Sequence, residues 1–388
     1  MREVLDSLLK WWEADVPVGL ATVTATWSSA PRQPGAAMVV GPDGEVVGSV
    51  SGGCVEGAVY ELCREAVETG EPRLARFGVS DDDAFEVGLT CGGTIELLVE
   101  RVDRNTFPQL PALAQAIADG HPVALLTRLD DAAHPPATPA TEDGAGRTGE
   151  SLGGARHLVI TPDGRDGTLG SDRIDDAATD DGRGLLAAGR TAVLHYGPSG
   201  ERRGEGLSVL VASFAPPARM LVFGATDHAA ATARIGSFLG YHVTVCDARP
   251  VFATTRRFPS ADEVVVDWPH RYLTAEMEAG RIDERTVLCV LTHDPKFDVP
   301  VLEVALRLPV AYVGAMGSRR THDDRNKRLQ EAGVTDAELT RLASPVGLDL
   351  GARTPEETAV SIAAEIVSLR WGGTGARLTA TDGRIHSD

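Results

Sequence analysis

Three glycine landmarks of this 388-residue chain recur at one interval. Gly35 and Gly154 open the similar stretches GAAMVVGPDGEVVGS and GARHLVITPDGRDGT, Gly48 and Gly167 lie in their turns, and Gly78 and Gly197 close ARFG and LHYG. Each pair is 119 residues apart. Upstream, VPVGLATV (16–23) matches HPVALLTR (121–128). Unrelated αβ units share apolar runs and PDG turns, but three landmarks at one offset point to an internal duplication. Two α/β halves, about 16–101 and 121–215, are expected to build one domain over 1–216. The strip DDAAHPPATPATEDGAGRTGESLG, about 130–153, is nearly free of large apolar residues. It cannot bury enough surface to offset its ordering entropy and is expected to be a mobile loop inserted in the second copy.

From Arg219 the pattern changes. RMLVFGATDHAAATARIGSFLGYHVTVCDAR gives a strand, a glycine turn, a small-residue helix and a second strand ending at Asp247. Strand-like runs DEVVVDW, RTVLCVLTHD and PVAYVGAMGS follow, separated by helical periodicity. This alternation indicates βαβ units and a parallel sheet. A last helix is expected from TPEE, with Thr354 as cap, Pro355 in the first turn and Glu357 reaching back to the cap. The second domain therefore spans 217–372, and 373–388 is expected to be a flexible tail. The fold class is α/β: an internally duplicated N-terminal α/β domain followed by a Rossmann-like parallel-sheet domain.

The formal net charge of −19 disfavours nucleic acid as a partner, because phosphate binding depends on Lys and Arg displacing counterions. No apolar run reaches the roughly 18 residues of a membrane span. MREVLDSLLKWWEADVP mixes acids with a lysine and reads as a surface helix, not a signal peptide. Five cysteines, an odd number on a long chain, do not form a disulfide framework, and a cytoplasmic location is expected.

Two of those cysteines stand among glycines, in GSVSGGCVEG (Gly52, Gly53, Cys54, Glu56) and GLTCGGTIE (Cys91, Gly92, Gly93). The second copy has Arg173 in place of Cys54 and Asp175 in place of Glu56, and no counterpart of LTCGG. One half carries this feature; the other serves as scaffold. A thiol at a helix N-terminus is favoured as thiolate, hence nucleophilic or metal-ligating. Cys54 fits that position, and Cys91 could face it across a sheet end. There is no C-x-x-C and no histidine at zinc-ligand spacing. Soft thiolate still suits a metal held by another ligand, such as molybdenum in a dithiolene. Cys63, Cys246 and Cys289 lie within helix or strand and read as core residues.

In open α/β sheets ligands bind at the carboxyl ends of the strands. Gly224 and Asp247 form the frame of a nucleotide site there, with Arg249 placed to meet a second phosphate. FGATDHAAA has one glycine where the dinucleotide fingerprint has three, and Thr226 and Asp227 add bulk and charge, which disfavours NAD(P). His293 and Asp294, the segment from Gly314 through Gly317 to Ser318, and Arg319–Arg320 fall at neighbouring strand ends. Glycines, a hydroxyl and an arginine-bearing helix N-terminus suit a phosphate or another anion. Arg325 to Arg328 read instead as a solvated helix face. SPVGLDLG (344–351) is placed as rim of the same cleft.

GSVSGGCVE, EVGLTCGGTIELLVE, SSAPRQPGAAM, THD, YVGAMGSRRTHDDRNKRL and SPVGLDLGARTPEETAVSIAAEI, in colinear order over about 17–370, resemble the xanthine dehydrogenase accessory (XdhC/CoxI) family. The resemblance implies an accessory domain followed by a Rossmann-like domain. It also implies a maturation factor, not a turnover enzyme, that binds molybdenum cofactor (molybdopterin or its dinucleotide form) as cargo. Such a factor would help a cysteine desulfurase sulfurate the cofactor and insert it into an apo molybdenum hydroxylase; a homodimer is expected. By position, Cys54 and Cys91 become the cofactor-binding thiols. At Gly224 family members commonly read G-A-G-H and this chain reads G-A-T-D, a departure in the nucleotide turn. Two rivals stand beside this reading: an NAD(P)-dependent oxidoreductase with His293 as acid/base, and a thiol redox protein cycling Cys54 and Cys91.

Overall fold

The computed structural model describes residues 1–27, 32–78, 93–130 and 156–382. It forms two compact units, one over Met1–Pro216 and the other from Pro217. Beyond Asp130, the strip expected to be a mobile loop lies outside the described residues.

The first unit runs α1 (Leu5–Glu13), β1 (Val18–Trp27), β2 (Ala37–Val40), β3 (Val46–Gly48), α2 (Glu56–Thr69), β4 (Arg73–Phe77) and β5 (Thr94–Val102). The series then repeats as α3 (Leu110–Ala118), β6 (Val123–Arg128), β7 (His157–Ile160), β8 (Arg165–Gly167), α4 (Asp172–Ala188), β9 (Ala192–Tyr196) and β10 (Leu207–Phe214). The two antiparallel sheets have the same order, β3-β2-β1-β5-β4 and β8-β7-β6-β10-β9. The repeat thus includes a leading helix that sequence comparison alone did not reveal.

Period-two side-chain alternation gives each sheet two apolar faces. In the first copy Ala21, Val23, Ile95, Leu97 and Val99 pack with Val59, Cys63 and Ala66 of α2. In the second, Ala124, Leu126, Val209 and Val211 pack with Ile174, Ala178 and Leu186 of α4. The opposite faces share one interior: Val18, Leu20 and Val102 join Val123, Leu125 and Ala212, with Leu8 and Trp11 of α1 and Leu110 and Leu113 of α3. Leu98 and Leu210 also meet between the sheets.

One polar pair crosses this interior. His157 Nε2 and Glu100 Oε2 are 2.9 Å apart, Thr127 Oγ1 lies 3.2 Å from His157 Nδ1, and Phe107 stacks on the imidazole at 4.2 Å. Strand register makes Ala37 the counterpart of His157 and Ala212 that of Glu100, so the pair breaks the internal symmetry. Removing one partner strands the other away from water. Glu100→Ala is expected to cost about 2–4 kcal/mol of unfolding free energy. Urea denaturation measures this, and a change within about 0.5 kcal/mol would contradict the assignment.

The second unit continues with β11 (Arg219–Phe223), α5 (Asp227–Phe238), β12 (His242–Cys246), β13 (Glu263–Val265), α6 (Pro269–Glu278) and β14 (Val287–Val290). It ends with α7 (Pro295–Ala305), β15 (Tyr312–Ala315), α8 (Arg319–Glu331), α9 (Asp336–Leu339), β16 (Leu342–Ala343) and α10 (Pro355–Trp371). The sheet is parallel, in the order β13-β12-β11-β14-β15-β16. Numbered within the unit this is 3-2-1-4-5-6, the doubly wound Rossmann order, with its topological switch point between β11 and β14. Both faces are covered, by α5 and α10 on one side and α6, α7 and α8 on the other, which is why the strands read as unbroken apolar runs. Thr354 and Glu357 form the expected capping box of α10. Past α10 the chain carries one exposed 3₁₀ turn, Leu378–Ala380. The strand β16 was not foreseen: two residues are too few to show a period.

Candidate functional site

The first site is the loop between β3 and α2. Helix α2 begins at Glu56, whereas α4 of the second copy begins at Asp172, the counterpart of Gly53. The first copy has unwound one turn, and Cys54 lies in it. Gly52 and Gly53 take φ values of 78° and 118°, a region that disfavours side chains, and both are exposed. They bend the loop so that its donors converge on the Glu56 carboxylate. Ser49 Oγ (2.7 Å), Ser51 N (2.9 Å), Gly53 N (2.9 Å) and Val55 N (3.2 Å) all donate to it, as does Ser51 Oγ. Gly52 N and Cys54 N donate to Ser49 Oγ and Ser51 Oγ, each at 2.9 Å.

Burial alone would raise the Glu56 carboxyl, but Ser49, Ser51 and the backbone donors outweigh it and bring it down to about 2. Glu56 is therefore the anchor of the loop, and the Ser49 and Ser51 hydroxyls and the Ser51, Gly53 and Val55 amides are committed to it. Thr168 Oγ1 and Leu169 N hold Asp175 in the same way, at 2.8 and 2.7 Å. The carboxylate anchor belongs to both copies; the cysteine belongs to one. Sequence reasoning missed Ser49 and Ser51, although the Ser49/Thr168 and Glu56/Asp175 correspondences in the repeat carried the signal.

Cys54 is half-buried at the edge of the α2 core. Burial pushes the thiols of Cys63, Cys246 and Cys289 up to about 12, fitting their reading as inert core residues. Gly93 is buried directly before β5. Cys91 and Gly92 lie outside the described residues.

The second site is the carboxyl edge of the parallel sheet. Gly224 sits at the switch point with φ 113°, where a Cβ would fall 2.8 Å from Thr292 Cγ2 of the neighbouring strand end. Asp247 is buried, and its oxygens accept from Ala225 N (2.7 Å) and from Arg249 N, Nε and Nη2 (2.8–2.9 Å). Burial would raise this carboxyl; the Arg249 hydrogen bonds and the Ala225 amide outweigh it and hold it below the ordinary range. A carboxylate that caps its own turn and pairs with Arg249 does not present the acceptor that a ribose needs. Thr226 caps α5, and exposed Asp227 pairs with Arg257 at 3.3 Å, placing negative charge where a pyrophosphate would approach. The missing glycines and the occupied turn agree.

His293 is exposed, and Asp294 caps α7 through Lys296 N. Gly314 is buried within β15, while Gly317 carries the turn into α8. Ser318 caps α8 by accepting from Thr321 N, and Arg319 and Arg320 are exposed in its first turn. Among the described residues no acceptor is bonded to the Arg319 and Arg320 amides. Those two amides and the two guanidinium groups fit an anion, with the Ser318 hydroxyl held beside them by Thr321. The rim 344–351 is fixed by α10: Gly347 N donates to Glu365 (2.9 Å) and Ser361 Oγ to Leu348 O (2.5 Å). Arg325, expected on a solvated face, is buried instead.

A duplicated antiparallel unit with, among the described residues, one cysteine-bearing loop, followed by a Rossmann-order unit, defines a two-unit α/β architecture. The chain belongs to the XdhC and CoxI family: that family's description matches residues 11–78 and 149–197, and the XdhC Rossmann domain matches 220–366. It is 27% identical over 351 residues to the molybdenum cofactor insertion chaperone PaoD of Escherichia coli (strain K12), covering 90% of this chain and 83% of that protein. It is 25% identical over 369 residues to a probable xanthine dehydrogenase subunit of Bacillus subtilis (strain 168), covering 95% and 96%. A crystal structure described as a xanthine dehydrogenase from Bacillus halodurans shares the fold, with TM-score 0.64, 24% identity and 97% of both chains covered.

The geometry of Glu56 gives a direct test. Its folded value of about 2 lies below the ordinary 4.5, so its stabilisation is complete above about pH 4.5 and is lost as pH falls towards 2. Glu56→Gln removes the charge that the donors face. It is expected to cost about 1–3 kcal/mol at pH 7, screened towards the lower figure because the group is only partly buried. Urea denaturation of both proteins at pH 7 and pH 3 should show the gap narrowing at the lower pH.

Proposed function

We propose that this protein is a molybdenum-cofactor maturation factor, which holds the cofactor as cargo, helps its sulfuration and delivers it to a xanthine dehydrogenase-type hydroxylase. The observation that carries the reading is the half-buried Cys54 on a loop hydrogen-bonded to Glu56, present in one copy of the repeat and replaced by Arg173 in the other. Soft sulfur is the donor that suits a molybdenum dithiolene centre. Anchoring by Glu56 fixes the loop backbone, so binding at the thiol costs little loop ordering. Cys91 is proposed as the second thiol from its sequence setting.

The α8 N-terminus, with Ser318, Arg319 and Arg320, is proposed to take the phosphate of the pterin or its nucleotide. The name of PaoD supports molybdenum cofactor as the cargo class, and that of the Bacillus subtilis relative supports a xanthine dehydrogenase-type partner. A cysteine desulfurase as sulfur donor, an apo-hydroxylase as recipient, a homodimeric state and a cytoplasmic location complete the proposal.

Cys54→Ala is expected to lower molybdenum cofactor retention through gel filtration at least about tenfold. Its circular dichroism and thermal midpoint should stay near wild type. Retention unchanged in that variant would remove the thiol from the mechanism. The oxidoreductase rival predicts saturable NADH binding; with Asp247 committed to Arg249 and Ala225, NADH fluorescence titration is expected to show none.

A further inference from the structure

Three loops leave the carboxyl edge of the parallel sheet after β14, β15 and β16, and one buried side chain touches two of them and reaches the third through Asp298 of α7. We propose that Arg325 is the positioning residue of this edge, a guanidinium that sets the register of Thr292–Asp294, Met316–Ser318 and the Ser344 turn. Its side chain is 3% exposed. Nη1 donates to Ser344 Oγ at 3.0 Å, and Nη2 donates to Met316 O at 2.6 Å and to Asp298 Oδ2 at 3.1 Å. The other oxygen of Asp298 accepts from Thr292 Oγ1, which carries the connection to the first loop. Thr292 in turn packs under Gly224, so the β11 turn rests on the same chain of contacts. Gly317 lies over the guanidinium, where a Cβ would be 3.4 Å from Nη2.

The chemistry requires arginine. A planar fork reaches acceptors on three elements at once, whereas a lysine ammonium on a flexible stem supplies the charge without that geometry. Asp298 is itself buried, which pushes its carboxyl upward, and Arg325 is its cationic partner. Met316 O and the Ser318 cap are two residues apart, so holding the first fixes where the α8 amides point. Its guanidinium is buried beneath the edge, and it acts through Ser318, Arg319 and Arg320.

This inference rests on the reading in which the α8 N-terminus holds the anionic end of the cargo. Full-length wild type, Arg325→Lys, Ser344→Ala and Arg319→Gln are compared by amide hydrogen exchange without cargo and by affinity for molybdenum cofactor. In Arg325→Lys, exchange should rise about tenfold or more in all three loops together while the interior of α10 keeps its wild-type rate, and cofactor should bind about tenfold more weakly. Cys54 alkylation by iodoacetamide should keep its wild-type rate, which general unfolding would not allow. If Arg325→Lys does not fold, Ser344→Ala is the test, and it should loosen 344–347 and weaken cofactor binding.

Exchange that rises in no loop, or in one loop only for Arg325→Lys, overturns the proposal. So does loosening of the loops with unchanged affinity when Arg319→Gln does weaken binding. If Arg319→Gln binds as tightly as wild type, the reading of the anion site fails instead. The three-loop exchange pattern then decides the role of Arg325 by itself.

Discussion

Each five-stranded sheet of the first unit has two apolar faces and one long helix to cover one of them. The uncovered face must be buried against something of the same size and shape, and the second copy of the motif supplies it. That constraint accounts for the duplication, for the pairing of α1 with α3 in the shared interior, and for the retention of a second half without a cysteine. A sheet exposed on one apolar face would be an aggregation surface. The two copies are therefore one folding problem, and the Glu100–His157 pair occurs only once across their shared interior.

Divergence is clearest at the helix that follows the third strand of each copy. Both copies keep a carboxylate that gathers the preceding loop, Glu56 in one and Asp175 in the other. In the first copy the longer glutamate reaches back over an extra unwound turn, and the two glycines allow that path. The result is a backbone whose polar groups are already satisfied and whose cysteine side chain is carried at the loop. A loop organised by its own carboxylate needs no cargo to hold its shape.

The parallel-sheet unit has the same logic with different means. Its order and switch point are those of a nucleotide-binding fold, yet the first turn is closed by Asp247, Arg249, Asp227 and Arg257. The available donors have moved two strands along, to the α8 N-terminus. Fold alone would place a dinucleotide at Gly224; the side chains close that turn, and the anion site proposed for this protein lies elsewhere on the edge.

Much of this was legible in the sequence, and the reasons are local. Periodicity and landmark spacing gave the repeat, alternation of strand and helix gave the parallel sheet, and Thr354–Glu357 gave the start of α10 because a capping box is written in four consecutive residues. The cysteine of interest was distinguished by its glycine neighbours and by Arg173 in the other copy. What local pattern could not give was the partner of each charge. Glu56 read only as a neighbour of the candidate thiol and is the anchor of its loop; Asp247 read as part of a nucleotide-site frame and closes its own turn; Arg325 read as solvated and is buried, bonded to Asp298, Met316 and Ser344. Their partners lie on other elements or depend on how the loop closes, so only the tertiary structure decides whether a charge is offered or spent. Sequence determined the elements and the position of the thiol; folding decided which polar groups remain free to bind, because hydrogen-bonding capacity is settled by what comes within about 3 Å and not by what is adjacent in the chain.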